Sequence, residues 1–173
     1  MISRRTFIMG LAAAAVAYPF SGAFGSLPPE RTLNAYNVHT DESLDITYYA
    51  DGSYDTGALE KINWLMRCHF TNEVKPIDIR VLDLLCDIKD RLGTGRRIEI
   101  ISGYRSTEYN EYLRMKSRKV ARDSFHLQGL AIDFSVSGTS KGTLSHLAKT
   151  FYAGGVGRYQ EFVHIDVGPI RYW

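Results

Sequence analysis

Two short stretches near the C-terminal end hold the residue types that bind and use a metal ion. The first is Ser124-Phe125-His126-Leu127-Gln128-Gly129-Leu130-Ala131-Ile132-Asp133, and the second is Glu161-Phe162-Val163-His164-Ile165-Asp166. Together they offer two imidazoles, His126 and His164, with the Asp133 carboxylate between them in sequence. A further carboxylate, Glu161, stands three residues before the second imidazole. A catalytic zinc needs this kit: three protein ligands, one position open to water, and a base to take a proton.

The elements that must position these groups are legible as strands. Leu130, Ile132, Phe134 and Val136 alternate with Ala131, Asp133 and Ser135, which reads as a half-buried strand with an apolar face. Val163, Ile165 and Val167 alternate in the same way with Phe162, His164 and Asp166. If the two strands are neighbours, Asp133 and His164 meet on one face. Gly129 lets the chain turn before the first strand, so that His126 folds back towards Asp133, and Ala131 leaves room beside an ion. A lone His in a strand is more often a packed or surface residue than a ligand. An unpaired carboxylate in an apolar strand, however, is expensive. The two stretches together make metal binding the better account.

These residues resemble a known family. Ser-x-His-x-x-Gly-x-Ala-x-Asp followed by a later His is similar to the zinc D-Ala-D-Ala peptidases, the hedgehog/D,D-peptidase superfamily. The resemblance is closest to the branch of periplasmic murein endopeptidase K. Ser102-Gly103-Tyr104-Arg105-Ser106, the run Phe162 to Pro169 and the end Arg171-Tyr172-Trp173 carry that closer match, which extends from about Leu33 to the terminus. It implies zinc on His126, Asp133 and His164 and cleavage of peptidoglycan stem peptides. The wider family places its catalytic Glu or Asp three residues before the last His, here Glu161. Asp166 shares the face of His164 and is the competing carboxylate, its other role being to hold a ligand imidazole by its second N–H. The resemblance implies that Arg105, after an apolar strand and a glycine turn, steadies the substrate or the developing oxyanion. A surface ion pair is the plainer role for this arginine.

The N-terminus is a second signal. Ser3-Arg4-Arg5-Thr6-Phe7-Ile8-Met9 resembles the twin-arginine export motif, followed by an Ala-rich run from Gly10 to Tyr18 and the small residues Ser21-Gly22-Ala23 for signal peptidase. The apolar run is shorter than the roughly 20 residues of a membrane span. Residues 1–25 are therefore expected to be a signal peptide read by the twin-arginine translocase, and residues 26–173 an exported, periplasmic domain with no stable membrane span. The formal net charge is +2, and Arg4 and Arg5 are the only charged residues up to Gly25, so the remainder is balanced near zero. That balance carries no nucleic-acid footprint. One basic cluster, Arg114, Lys116, Arg118, Lys119 and Arg122, precedes His126. It suits the carboxylates of wall peptides, although such runs are more often a solvated helix face.

Elements of both kinds follow without a βαβ rhythm. Strands are expected at Leu33 to His39, Leu44 to Tyr49 and Arg97 to Ser102, besides the two that carry Asp133 and His164. Helices are expected from Ala58 to about His69, from an Asp78 cap to Gly93, from Thr107 to about Lys116 with Tyr109, Tyr112 and Leu113 inward, and from Ser140 to about Tyr152. The fold class is α+β: a single domain with a small antiparallel sheet, flanking helices and the zinc site on the sheet face. Cys68 and Cys86 are either a disulfide, allowed in an oxidising compartment, or buried thiols. His39, His69 and His146 lack partners in sequence, and Tyr104 and Tyr159 are cleft or core residues.

The expected function is that of a zinc-dependent murein endopeptidase acting on stem-peptide cross-links. The alternatives are a D,D- or L,D-carboxypeptidase trimming stem ends, or a non-enzymatic wall-binding module. A structural zinc usually has four protein ligands. Three convincing ones favour catalysis.

Overall fold

The computed structural model describes residues 30–173, apart from residues 94 and 119. The expected signal peptide, residues 1–25, lies outside the described residues, as does Lys119 of the basic cluster. Among the described residues no helix is long and apolar enough to cross a membrane.

The chain opens with an antiparallel pair, β1 (Glu30–Asn37) and β2 (Glu42–Ala50), followed by the short β3 (Ser53–Tyr54). Helix α1 (Thr56–Leu65) is capped by the Asp55 carboxylate and buries Ala58, Ile62 and Leu65. Helix α2 (Ile79–Arg91) is capped by Asp78, as expected, and buries a stripe that includes Val81, Leu82, Leu85 and Ile88. Then come β4 (Ile98–Ser102), α3 (Thr107–Lys116), a 3₁₀ turn (Phe125–Gln128), β5 (Ala131–Val136), α4 (Lys141–Lys149), β6 (Gly155–Arg158), β7 (Val163–Asp166) and β8 (Arg171–Tyr172).

The α+β class and the principal strands agree with the sequence reading, but the sheet does not. It is a mixed sheet of eight strands in the order β3-β2-β1-β4-β5-β7-β6-β8, not a small antiparallel one. β1 pairs parallel with β4, and β6 parallel with β8. Alternation along a strand reports its faces and not its partners. The four-residue β6 and two-residue β8 are too short for a period to show. A second difference lies on α3. It buries Asn110 alone, while Tyr112 points to solvent instead of inward.

The core lies where α2 and α4 cover the sheet. Ile132 and Phe134 of β5 pair with Ile165 and Val163 of β7, and all four join Val81, Leu82, Leu85 and Leu144 in one apolar cluster. The alternate residues of β5 and β7 are thereby committed to the other face of the sheet. Cys68 and Cys86 are buried free thiols.

Candidate metal centre

The register of β5 against β7 places Asp133 opposite His164, as the alternation requires. His126 arrives from the 3₁₀ turn, which ends at Gly129 with φ +70°. A Cβ at Gly129 would lie 2.2 Å from the Pro76 carbonyl oxygen, so both the turn and the close packing need glycine there. A register shift in β4 next to Ser102 brings that residue opposite Asp133 and aims the loop after it across the site.

Three potential ligand atoms converge. His126 Nε2 lies 3.2 Å from His164 Nδ1 and 3.2 Å from Asp133 Oδ1, and His164 Nδ1 lies 2.7 Å from Asp133 Oδ1. The residues are 1%, 9% and 2% exposed for His126, His164 and Asp133. Each ring is held by its other nitrogen. His126 Nδ1 contacts the Gly103 carbonyl at 2.7 Å, and His164 Nε2 contacts Asp166 Oδ2 at 3.0 Å. A carbonyl and a carboxylate can only accept, so those nitrogens carry the protons and the lone pairs of His126 Nε2 and His164 Nδ1 face Asp133. Three acceptors crowded in a buried site need a cation or a proton between them.

The donor set fits zinc. Ligands about 2.0–2.1 Å from a tetrahedral zinc stand about 3.3 Å apart, close to the two 3.2 Å edges and longer than the 2.7 Å edge between His164 and Asp133. No fourth His, Cys, Asp or Glu joins the group among the described residues.

The electrostatics favour the metal-binding form of His126 and Asp133 and oppose that of His164. Burial, helped by the Arg105 charge, lowers His126 to about 4. Burial alone would raise Asp133, but the His126 and Arg105 charges outweigh it and hold the carboxyl well below its ordinary range. His164 is raised, because hydrogen bonds to Asp133 and Asp166 overcome the opposing effect of burial.

Arg105 and Asp166 both sit around this triangle. The Arg105 guanidinium pairs with the second oxygen of Asp133, and its Nε donates to Ser102 Oγ at 2.9 Å. Its position is therefore that of a half-buried partner to Asp133 and not a surface ion pair. Asp166 is fully buried. Its Oδ1 accepts from the Gly155 and Gly168 amides at 3.2 and 2.8 Å and from Arg171 Nη1 at 3.1 Å. Its Oδ2 accepts from His164 and from Arg171 Nη2 at 2.7 Å. Burial opposes this charge, yet the His164, Gly168 and Arg171 donors bring the carboxyl to about 2. Glu161 is apart from the group. It is exposed, does not line the cleft and has no hydrogen bond or ion pair among the described residues, although Tyr159 and Phe162 on either side of it do line the cleft.

The triangle opens on a cleft of about 590 Å³. Its walls include Tyr109 of α3, Val120, Ala121, the segment from Asp123 to Phe125, Tyr159, Phe162 and Trp173. Tyr104 is not among them. It packs against the core, with its hydroxyl 3.4 Å from Glu73. The described members of the basic cluster are exposed and lie outside the cleft lining.

Sequence reasoning missed several contributors. Arg171 reaches Asp166 only because β8 pairs with β6, and a Cβ at Gly155 would fall 2.8 Å from its guanidinium and 2.4 Å from Asp166. The Trp173 ring lies 5.4 Å from that of His164. His39, unpartnered in sequence, lines the cleft and stacks on His69 at 4.0 Å. The Ser102-Gly103-Tyr104-Arg105 motif was the one available signal for the Gly103 carbonyl. A Cβ at Gly103 would stand 2.5 Å from the Met66 carbonyl oxygen.

Comparison with known proteins agrees with this geometry. Residues 26–173 match the family model described as peptidoglycan L,D-endopeptidase MepK. The chain is 37% identical over 174 residues to the peptidoglycan L,D-endopeptidase MepK of Escherichia coli strain K12, covering 98% of this chain and 96% of that one. The protein of the same description from Shigella flexneri aligns with the same identity and coverage. A probable peptidoglycan L,D-endopeptidase MepK of Haemophilus influenzae is 36% identical over 154 residues, 87% of this chain and 83% of that one. With a family model spanning the whole described domain and relatives alike nearly end to end, the chain belongs to the peptidoglycan L,D-endopeptidase MepK family, within the zinc D-Ala-D-Ala peptidase superfamily.

Proposed function

We propose that this protein is a zinc-dependent endopeptidase that cuts peptide cross-links of peptidoglycan, and that its bond is the L,D-linkage between two diaminopimelate residues. The observation that carries the reading is the buried triangle of His126, Asp133 and His164 opening on a cleft. A wall-binding module with a structural metal would usually surround it with four protein ligands. The L,D-specificity draws support from the relatives, which are described as peptidoglycan L,D-endopeptidases.

His126, Asp133 and His164 would hold the zinc, which when bound supplies Lewis-acid polarisation of a carbonyl and a lowered pKa for water. Gly103 and Asp166 fix the two imidazoles so that their lone pairs point inward. Asp166 is thus a positioning residue, its oxygens already engaged by five N–H groups. Arg105 keeps Asp133 ionised and presents positive charge at the cleft, where it stabilises a developing oxyanion. Glu161 remains the candidate proton acceptor, since it has no competing partner among the described residues and lies between two cleft-lining residues. Its role requires the turn before β7 to swing the carboxylate inward.

The test is digestion of two defined muropeptide dimers by zinc-loaded protein, one linked through two diaminopimelates and one through D-Ala and diaminopimelate. Mass spectrometry should show cleavage of the first. Failure to cut either dimer at full zinc occupancy overturns the enzymatic reading, and removal of only a terminal residue makes the protein a carboxypeptidase.

We further propose that residues 1–25 direct export to the periplasm by the twin-arginine translocase. Arg4→Lys with Arg5→Lys keeps the charge but removes the guanidinium pair, and should hold the precursor in the cytoplasm. Normal periplasmic accumulation on cell fractionation would point to the general secretory route.

A further inference from the structure

Helix α3 carries an aromatic ridge that neither the core nor the metal centre uses. Phe70, from the loop after α1, stacks on Tyr109 at 5.2 Å and on Tyr112 at 5.3 Å between ring centroids, with interplanar angles of 20° and 22°. Phe70 is 46% exposed, Tyr112 39% and Met115, further along α3, 80%. Neighbouring large apolar groups left in water mark a binding surface more often than scattered ones do. The ridge is continuous with the cleft, because Tyr109 both lines the cleft and forms one end of the stack.

We propose that Phe70 and Tyr112 form a sugar-stacking subsite that receives the amino-sugar strand from which a stem peptide in the cleft is suspended. This rests on the peptidoglycan reading above. The chemistry suits a pyranose ring, whose flat C–H face carries slight positive charge and packs on the negative face of an aromatic ring. The dimensions agree as well. From Ser106, the cap of α3, to Tyr112 the helix rises about 9 Å. A stem peptide of three extended residues spans roughly 10 Å. A peptide held beside Arg105 can therefore bring its sugar to the ridge. The charges flanking the ridge on α3 are of both signs, Glu108 and Glu111 against Arg114 and Lys116, and Lys116 lies 5.4 Å from the Tyr112 centroid.

The probe is a tetramer of N-acetylglucosamine titrated into the exported-length protein, followed by nuclear magnetic resonance. Parent protein should bind it with shifts on Phe70 and Tyr112, and the double variant Phe70→Ala with Tyr112→Ala should bind at least about 10-fold more weakly, the scale of two lost aromatic contacts. The variant should cut a sugar-free cross-linked peptide dimer within about twofold of the parent rate, but a disaccharide-bearing dimer at least about 10-fold more slowly in kcat/KM. Unchanged tetramer binding in the variant overturns the subsite, and so does equal loss on both substrates. Absence of tetramer binding by the parent protein also overturns it. If the parent cuts neither dimer, the hydrolytic reading fails while the titration still decides the subsite.

Discussion

Replacing Asp166 with Asn should loosen the metal without abolishing turnover. The Asp166 carboxylate serves five N–H groups, from His164, Gly155, Gly168 and twice from Arg171. An amide keeps only one acceptor oxygen. If that oxygen stays with the glycine amides, the NH₂ group meets the His164 Nε2–H. The imidazole must then turn, or move its proton to Nδ1, the atom 2.7 Å from Asp133. Either response spoils a ligand. Loss of such an orienting carboxylate costs about 10- to 100-fold in metal affinity, or about 1.4–2.7 kcal/mol. The fold should suffer too, because buried donors left without an acceptor cost about 1–3 kcal/mol. Arg171 is partly exposed and can turn to water, which favours the lower end. At about 1 kcal/mol, a domain of this size should then melt about 2–4 °C lower. Zinc affinity by chelator competition, zinc-free melting by calorimetry and turnover at saturating zinc measure the three effects separately. The reasoning is refuted if Asp166→Asn binds zinc within about twofold of the parent yet loses at least about 10²-fold in turnover, since that pattern belongs to a proton-transfer group.

Glu161→Gln, conversely, should keep its zinc and lose at least about 10²-fold in hydrolysis of the diaminopimelate-linked dimer; an active variant moves the proton elsewhere. Gly129→Ala puts a Cβ against the Pro76 carbonyl at a positive φ. It should destabilise the domain by more than about 1 kcal/mol and lower its zinc content, read by calorimetry and metal analysis; an unchanged melt refutes the packing argument. Burial and the His39 charge lower His69 to about 4 from 6.5. The unfolded chain therefore binds the extra proton first. The stability linked to His69 is full above about pH 6.5 and is lost as the pH falls towards 4. Because His69 is only partly buried, the effect is about 1 kcal/mol. Denaturant melts of His69→Gln should show a shallower loss of stability over that range than the parent, and parallel curves refute the assignment.

Much of the site was readable before any coordinates because metal chemistry demands particular residue types and because a strand's period is two. Asp133 and His164 had to share a face if β5 and β7 were neighbours, and the observed register pairs them directly. The helix caps at Asp78 and Ser140 were equally local, each a side chain accepting from an amide two or three residues on. Tyr112 shows the limit of such reading. Its spacing with Tyr109 looked like a buried stripe, but the partner that stacks on both rings is Phe70, from a distant loop at the surface.

The sequence by itself pointed to the residue types of a metal site, the class of fold and the turns that needed glycine or a cap, because residue chemistry, strand period and local turns are written within a few residues. The tertiary structure alone decided the parallel edges of the sheet, the pairing of Arg105 with Asp133, the exposure of Glu161 and the five-donor cradle around Asp166. Each of these depends on which distant segment comes to lie alongside. Gly155 and Arg171 reach Asp166 only after β6 has paired with both β7 and β8. A buried charge also takes its state from the sum of every donor and charge around it, and no stretch of sequence contains that sum.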